Sequence, residues 1–464
     1  MTDCGRLLPD LGAFRSFHTV PTNGSVRQDQ TFQTVSHLQP EMSKAGRLPL
    51  SSSQAVTYTN RTASSFGRLW LCESRDLFDS RRAKQEWAVP VTISATRDST
   101  PLAIEAELAT LEARVAALPE AEQAVQLRLP SSSTPILADV WLAILSGSAA
   151  TSWPTTIIAR GLNALTSESQ FTTSLAGLAA LRTAEQILPE AERDRPLNAT
   201  QAIMELIALD GGLVQSRAGG RTLFEIDPDF PVASRLRALN RGGSIPIERR
   251  RMFTQLVLHL RKLVEIGALR RQIDPVSEGP AGAVGRFLFE LHENGLEHGS
   301  RDPHGRKIPG SRMLRVRKHV ANRPEELAER HGGVPEVRAY LERIRASAIV
   351  EASISDFGPG IVDGFLASSA GASHVNRDRR ELLDSLLFER LSSKGIDPAS
   401  GLGIQRALRA ANQMQAFVSL RTAEFWLTVS FVDAAPEIRM LDVATDGARG
   451  RVRGTHWQFL WPQP

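Results

Sequence analysis

The sequence predicts an α/β protein in which a small α/β unit precedes a larger C-terminal α/β domain. Three observations predict it. Residues 124–187 alternate short strand-like and helix-like runs. Residues 348–360 read as a strand that runs into a glycine turn, and the chain closes on three further strand-like runs between 416 and 461. With 464 residues and 42% hydrophobic side chains, the chain has length for two or three domains and a sizeable core.

Residues 1–95 are rich in Ser, Thr, Arg and Gln and hold no sustained period of 2 or 3.6. Such a segment buries too little apolar surface to fold, so a disordered leader is expected. A start codon placed too early, with Met42 as a later start, is the other reading of residues 1–41. The first clear helix spans 102–118, where Ile104, Leu108, Leu111, Val115 and Leu118 form one stripe. Two heptads are short for a coiled coil, so the helix is expected to pack on its own domain. Strand 124–129, helix 138–145, strand 155–159 and helix 171–187 follow, the last with Leu175, Leu178 and Leu181 on one face. This unit, 96–195, is similar in element order to sulfate-transporter and anti-sigma-antagonist modules, and a regulatory role is expected for it. Residues 196–275 read as a mainly helical connector with a glycine-rich break at 211–220 and a long charged helix over 247–269.

The 55 basic and 51 acidic residues are spread along the chain, so the net charge of +4 forms no basic stripe and nucleic acid is not the expected partner. Cys4 and Cys72 belong to no CxxC pair or Cys/His cluster, which argues against a disulfide framework or structural zinc. No apolar run approaches the ~20 residues needed to span a bilayer, and Arg6, Asp10 and Arg15 interrupt any signal core. A cytoplasmic protein is expected.

Three stretches carry the chemistry. In the first, Phe287–Gly299, Glu290 and Asn294 stand four apart and share one helical face. Glu290 can take a proton from an attacking water. Asn294 offers a hard carbonyl oxygen to Mg2+. In the second, the strand ending at Asp356 runs into Gly358 and Gly360. A carboxylate there can accept the exocyclic amine of adenine, and the glycines allow close backbone approach to a ligand. In the third, Lys394 precedes Gly401-Leu402-Gly403, which opens a helix over 405–412. Backbone N–H groups at such a start suit phosphate oxygens, and Lys394 adds a point charge. Each stretch alone recurs by chance. Their order, with a terminal Gly454-Thr455 strand, does not recur so easily.

In that order the sequence resembles the GHKL superfamily of gyrase, heat-shock chaperone, histidine-kinase and MutL-type ATP-binding domains, over residues 276–464. Glu290–Asn294 resembles its N box, Asp356–Gly360 its first glycine box, Gly401–Gly403 its lid glycines and Gly454–Thr455 its last box. The resemblance implies a two-layer α/β sandwich of the Bergerat type, a mixed sheet with helices on one side. It also implies ATP and Mg2+ as ligands, with Asn294 holding the metal and Asp356 the adenine. Thr455 would assist Asp356 through a water, and Gly401, Leu402 and Gly403 would close over the phosphates. A Walker A loop is lacking, which disfavours a P-loop enzyme. Gly295 and Pro359 depart from the pattern, as does the long charged stretch 301–345, in which a strand over 313–320 and a helix over 335–345 are expected.

His259, the nearest candidate for a phosphoacceptor, has Leu260 after it and no nearby proline, so a structural role is expected. The expected function is that of a regulatory ATP-binding protein whose nucleotide state switches a contact with another protein or within a homodimer, with slow hydrolysis based on Glu290. A Ser/Thr protein kinase of the anti-sigma-factor type is the first alternative. A non-catalytic interaction protein with a degenerate pocket is the second.

Overall fold

The computed structural model describes residues 90–166, 169–181, 183–210, 213–215, 221–226, 287–288, 290–292, 294–295, 299, 311–331, 333–389, 391, 403–432, 437–440 and 450–462. The expected leader up to residue 89, connector residues 227–275 with His259, and Lys394, Gly401 and Leu402 lie outside the described residues. Residues 84–464 form one compact unit.

Its first part alternates β1 (Val91–Ser94), α1 (Pro101–Ala116), β2 (Val125–Leu129), α2 (Ala138–Ser152), β3 (Thr155–Ala159), α3 (Leu175–Ala180) and β4 (Gln186–Pro189). The strands pair in that order and all in parallel. Helices α1 and α3 both pack against α2, so the three lie together on one face of this sheet. Strand β1 falls inside the span expected to be leader. Helix α1 starts where Thr100 Oγ1 accepts from Ala103 N and Pro101 needs no donor, and it buries Ile104, Leu108, Leu111 and Val115. The helix expected over 171–187 is confined to Leu175–Ala180, because Ser174 caps its start and the chain extends again into β4.

The second part adds α4 (Ala199–Asp210), β5 (Leu213–Gln215), β6 (Arg221–Ile226), helical residues over 287–295 (α5) and β7 (Ser311–Val320). Then come α6 (Pro324–His331), α7 (Pro335–Ile344), β8 (Ala348–Asp356), α8 (Ile361–Leu366), α9 (Arg379–Phe388) and α10 (Gly403–Gln413). The chain closes with β9 (Phe417–Ala423), β10 (Phe425–Ser430), β11 (Glu437–Met440) and β12 (Val452–Pro462). Among the described residues, β5–β12 form an antiparallel sheet in the order β11-β10-β9-β12-β8-β7-β6-β5. β5 lies in the expected glycine-rich break and β6 stands where helix was expected, so after α4 the connector widens this sheet. The described part of the charged stretch, within 311–345, packs into the fold: Leu327, Val337, Tyr340 and Leu341 are buried, and the Tyr340 hydroxyl donates to Leu460 O at 3.1 Å.

The large sheet is covered on both faces, whereas helices on one side were expected. On one face Val350, Ala352 and Ile354 join Leu314, Leu420, Trp457 and Phe459 in an apolar core with α5, α8, α9 and α10. The opposite face meets α1 and α2, and Trp141 of α2 packs on Trp426 of β10 at 4.4 Å between centroids. Helix α2 is buried at every position from Ala138 to Ala149, as expected of a helix between two sheets, and only its C-terminal end reaches solvent. The layers therefore run parallel sheet, helices, antiparallel sheet, helices.

The seam between the middle layers is polar. Arg421 of β9 makes a two-pronged pair with Glu105 of α1, at 3.1 and 2.9 Å. Asp139 of α2 pairs with Arg315 at 2.7 Å and Arg317 at 3.0 Å. Burial pushes the Asp139 carboxyl up, but the two guanidiniums outweigh it and hold the group below its ordinary value of 3.8. Glu351 meets His319 Nε2 at 2.6 Å and accepts from Leu137 N at 3.1 Å, while Gln458 Nε2 donates to Leu137 O at 3.1 Å. Leu137 itself has φ 70°, a left-handed conformation rare for leucine. Among the described residues, no helix is long and apolar enough to cross a membrane.

Candidate functional site

The apolar face of the large sheet and the helices on it carry those of the singled-out residues that the structure describes. Alternation along β8 sends Val350, Ala352 and Ile354 into that core, and the same parity puts Asp356 on that face at the strand's end. Register sets Arg312 of β7 and Thr455 of β12 directly opposite Asp356 on its two sides. A row Arg312–Asp356–Thr455 thus crosses three strands.

Asp356 is buried, and its Oδ1 accepts from Gly358 N at 3.0 Å and Thr455 N at 3.3 Å. Those two donors fix the carboxylate's orientation. Three close approaches explain the glycines around it. A Cβ on Gly299 would lie 2.7 Å from Asp356 Cβ, and one on Gly358 would lie 2.8 Å from Gly299 Cα. Gly454, at φ 87°, passes so close to Asp356 that a Cβ there would overlap the Asp356 carbonyl. Gly360, at φ 86°, turns the chain into α8, and Ile361 N then donates to Thr422 Oγ1 at 3.1 Å. Thr422 Oγ1 in turn donates to Gly454 O at 3.0 Å, tying the two glycine turns together.

Glu290 and Asn294 face the start of α10. A Cβ on Gly403 would lie 3.2 Å from Glu290 Oε2 and 3.4 Å from both Asn294 amide atoms. Folding therefore joins the E-x-x-x-N helix to the glycine-opened helix, two stretches far apart in sequence. Arg406, one turn into α10, donates to Glu290 Oε1 at 3.3 Å. Asn294 Nδ2 is buried with no hydrogen-bond partner among the described residues. A buried amide left unpaired is costly, and a ligand or water in the adjoining space would satisfy it. A small cleft lined by His292, Gly295, Arg312, Leu314 and Ile354 opens beside Asp356 on this face.

Among the described residues no group of three or more His, Cys, Asp and Glu could hold a metal. Asn294 and Glu290 could offer two oxygen ligands here, which would suit a cation that keeps most of its waters. A fixed carboxylate, an amide–carboxylate pair and the start of α10 at Gly403 could serve a purine amine, a hydrated cation and a phosphate respectively.

Sequence reasoning passed over four contributors: Gly299, Arg312, Thr422 and Arg406. Gly299 carried a signal, since it ends the same helix motif. Arg312, Thr422 and Arg406 act through register or helix phase and carried none. Comparison with protein-family models, curated proteins and solved structures finds no match to this chain.

Proposed function

We propose that residues 287–462 form a Bergerat-type site that binds Mg-ATP, and that the chain is a regulatory ATP-binding protein. The observation that carries the reading is the convergence of four distant stretches. Glu290 and Asn294 meet Gly403, while Asp356 meets Thr455, Gly358 and Gly299, all on one sheet face.

In this reading Asp356 accepts the adenine amine, and Gly299, Gly358 and Gly454 leave the room that side chains would fill. The orphaned Asn294 amide and the space beside Gly403 are where a metal–phosphate group would sit. Lys394, Gly401 and Leu402, outside the described residues, keep the phosphate role that the sequence resemblance implies. Magnesium there would neutralise phosphate charge. Glu290 orients a water through its carboxylate and takes its proton, and Arg406 keeps that carboxylate aimed. Hydrolysis is slow until a protein partner or a second copy excludes bulk water. The parallel-sheet layer, fused to the back of the same sheet, is the regulatory element.

Calorimetry tests the reading. Mg-ATP should bind and Mg-GTP should bind poorly. Asp356→Asn should weaken ATP by ~1.5–3 kcal/mol, as expected for a lost charged hydrogen bond. ATP binding unaltered in a folded Asp356→Asn protein would remove the assignment.

A further inference from the structure

One turn of α2 touches the nucleotide-side turns from behind, through a closed ring of contacts. Gly147 is seated on Phe357, the residue after Asp356: a Cβ there would overlap the ring and come within 2.7 Å of its Cζ. The Phe357 ring packs edge-on against His456 of β12 at 5.1 Å between centroids. His456 Nε2 lies 2.7 Å from Arg453 O, so this nitrogen carries the proton and donates. Arg453 N then donates to Ser148 Oγ at 3.1 Å, which returns the ring to α2. Gly147 and Ser148 are adjacent, so one helical turn grips both segments whose ends hold the site. Phe357 lies between Asp356 and Gly358. Arg453 and His456 flank Gly454 and Thr455.

Asp356 depends on backbone N–H groups from both segments for its orientation. A shift of α2 by a fraction of an ångström must move Phe357 or Arg453, because interiors packed this closely transmit displacement. Besides its contacts with the large sheet, α2 packs on α1, α3 and strands β2 and β3, which ties it to the parallel-sheet layer farthest from the site. We propose that Gly147, Ser148 and Phe357 are positioning residues, through which the parallel-sheet layer sets the alignment of the Asp356–Thr455 pair. The inference rests on the Mg-ATP reading for the identity of the ligand, and on contacts alone for the alignment.

The test uses the full chain with a non-hydrolysable ATP analogue and magnesium, in Gly147→Ala, Phe357→Leu and their double variant. Gly147→Ala should weaken analogue binding by about tenfold, the size expected when an aromatic is forced off its rotamer beside the site. The double variant should recover, because the shorter leucine vacates the place of the added methyl. Amide exchange is read in parallel on ligand-free protein. Gly147→Ala should speed exchange in peptides holding Gly358 and Thr455 while leaving β2 and β3 unchanged. Should Gly147→Ala not fold, Ser148→Ala takes its place, since it removes only the acceptor for Arg453 N. Unchanged exchange at Gly358 and Thr455 in a folded variant overturns the proposal. If the wild type binds no adenine nucleotide, the functional reading falls, and the exchange result still decides this one.

Discussion

Glu105→Gln should destabilise the whole unit far more than a single charge usually does. Both partners of the Glu105–Arg421 pair are 1% exposed, and two parallel hydrogen bonds join them. A surface pair would be worth ~0–1 kcal/mol. Removing one member of a buried pair strands the other charge and costs ~3–5 kcal/mol. Against a typical total of ~5–15 kcal/mol, that is a large share of the stability of a domain. Arg421 also donates to the carbonyls of Gly450, Ala423 and Phe425, so it cannot turn away to water. Replacing both partners, Glu105→Leu with Arg421→Met, should restore most of the loss. A residue of ~1–3 kcal/mol should persist for the abandoned carbonyls. Urea unfolding followed by circular dichroism gives these numbers, and adding salt should change them little because the pair is shielded from solvent. A loss under ~1 kcal/mol in Glu105→Gln would mean that water reaches the pair, and the four-layer packing would then be wrong.

Glu290→Gln should keep ATP binding and lower turnover by ~10²–10⁴-fold, measured as phosphate release; wild-type turnover would reduce Glu290 to a polar partner of Arg406. Gly403→Val should impair ATP more than adenosine, because its branched side chain meets Glu290 and Asn294, where a Cβ would already lie 3.2 Å from Glu290 Oε2. Equal losses for both ligands by calorimetry would point to misfolding instead. Mild acid should destabilise the fold through His331 and His456. Burial lowers both from 6.5 to about 3, aided by His319 for the first and, for the second, by Arg421 against the opposing Arg453 hydrogen bond. The unfolded chain binds these protons and the folded chain does not, so stability is full above pH 6.5 and falls as pH drops towards 3. At pH ~5.5 each histidine should remove ~1.4 kcal/mol, and urea midpoints that stay flat between pH 7.5 and pH 5.5 would refute this.

Local pattern carried much of this architecture. The a/d spacing in α1, the strand β3 and the opening of α10 were all legible, because a helix or strand with one apolar face announces its period. The motif order named the residues that converge at Asp356 and Gly403. The second face of the large sheet was not legible. Glu351, Ser353 and Ser355 alternate with apolar residues, and such alternation reads as one face in water. Their partners, Leu137 and Gln458 among them, lie too far along the chain for any window to connect. The glycine at position 147 gave no sign either. A lone glycine within a helix reads as a weak spot until the ring it accommodates is seen.

Leu137 carries a consequence of its own. Its left-handed backbone is a local penalty of ~1–3 kcal/mol, held by the Glu351 carboxylate on its N–H and the Gln458 amide on its C=O. The start of α2 therefore takes its shape on loan from another layer. Synthesised without the large sheet, the first seven elements would let Leu137 relax, and the turn before α2 would adopt another shape. A binder raised against the turn at 130–137 in the full chain would then tell joined layers from separated ones, without any label at the site itself.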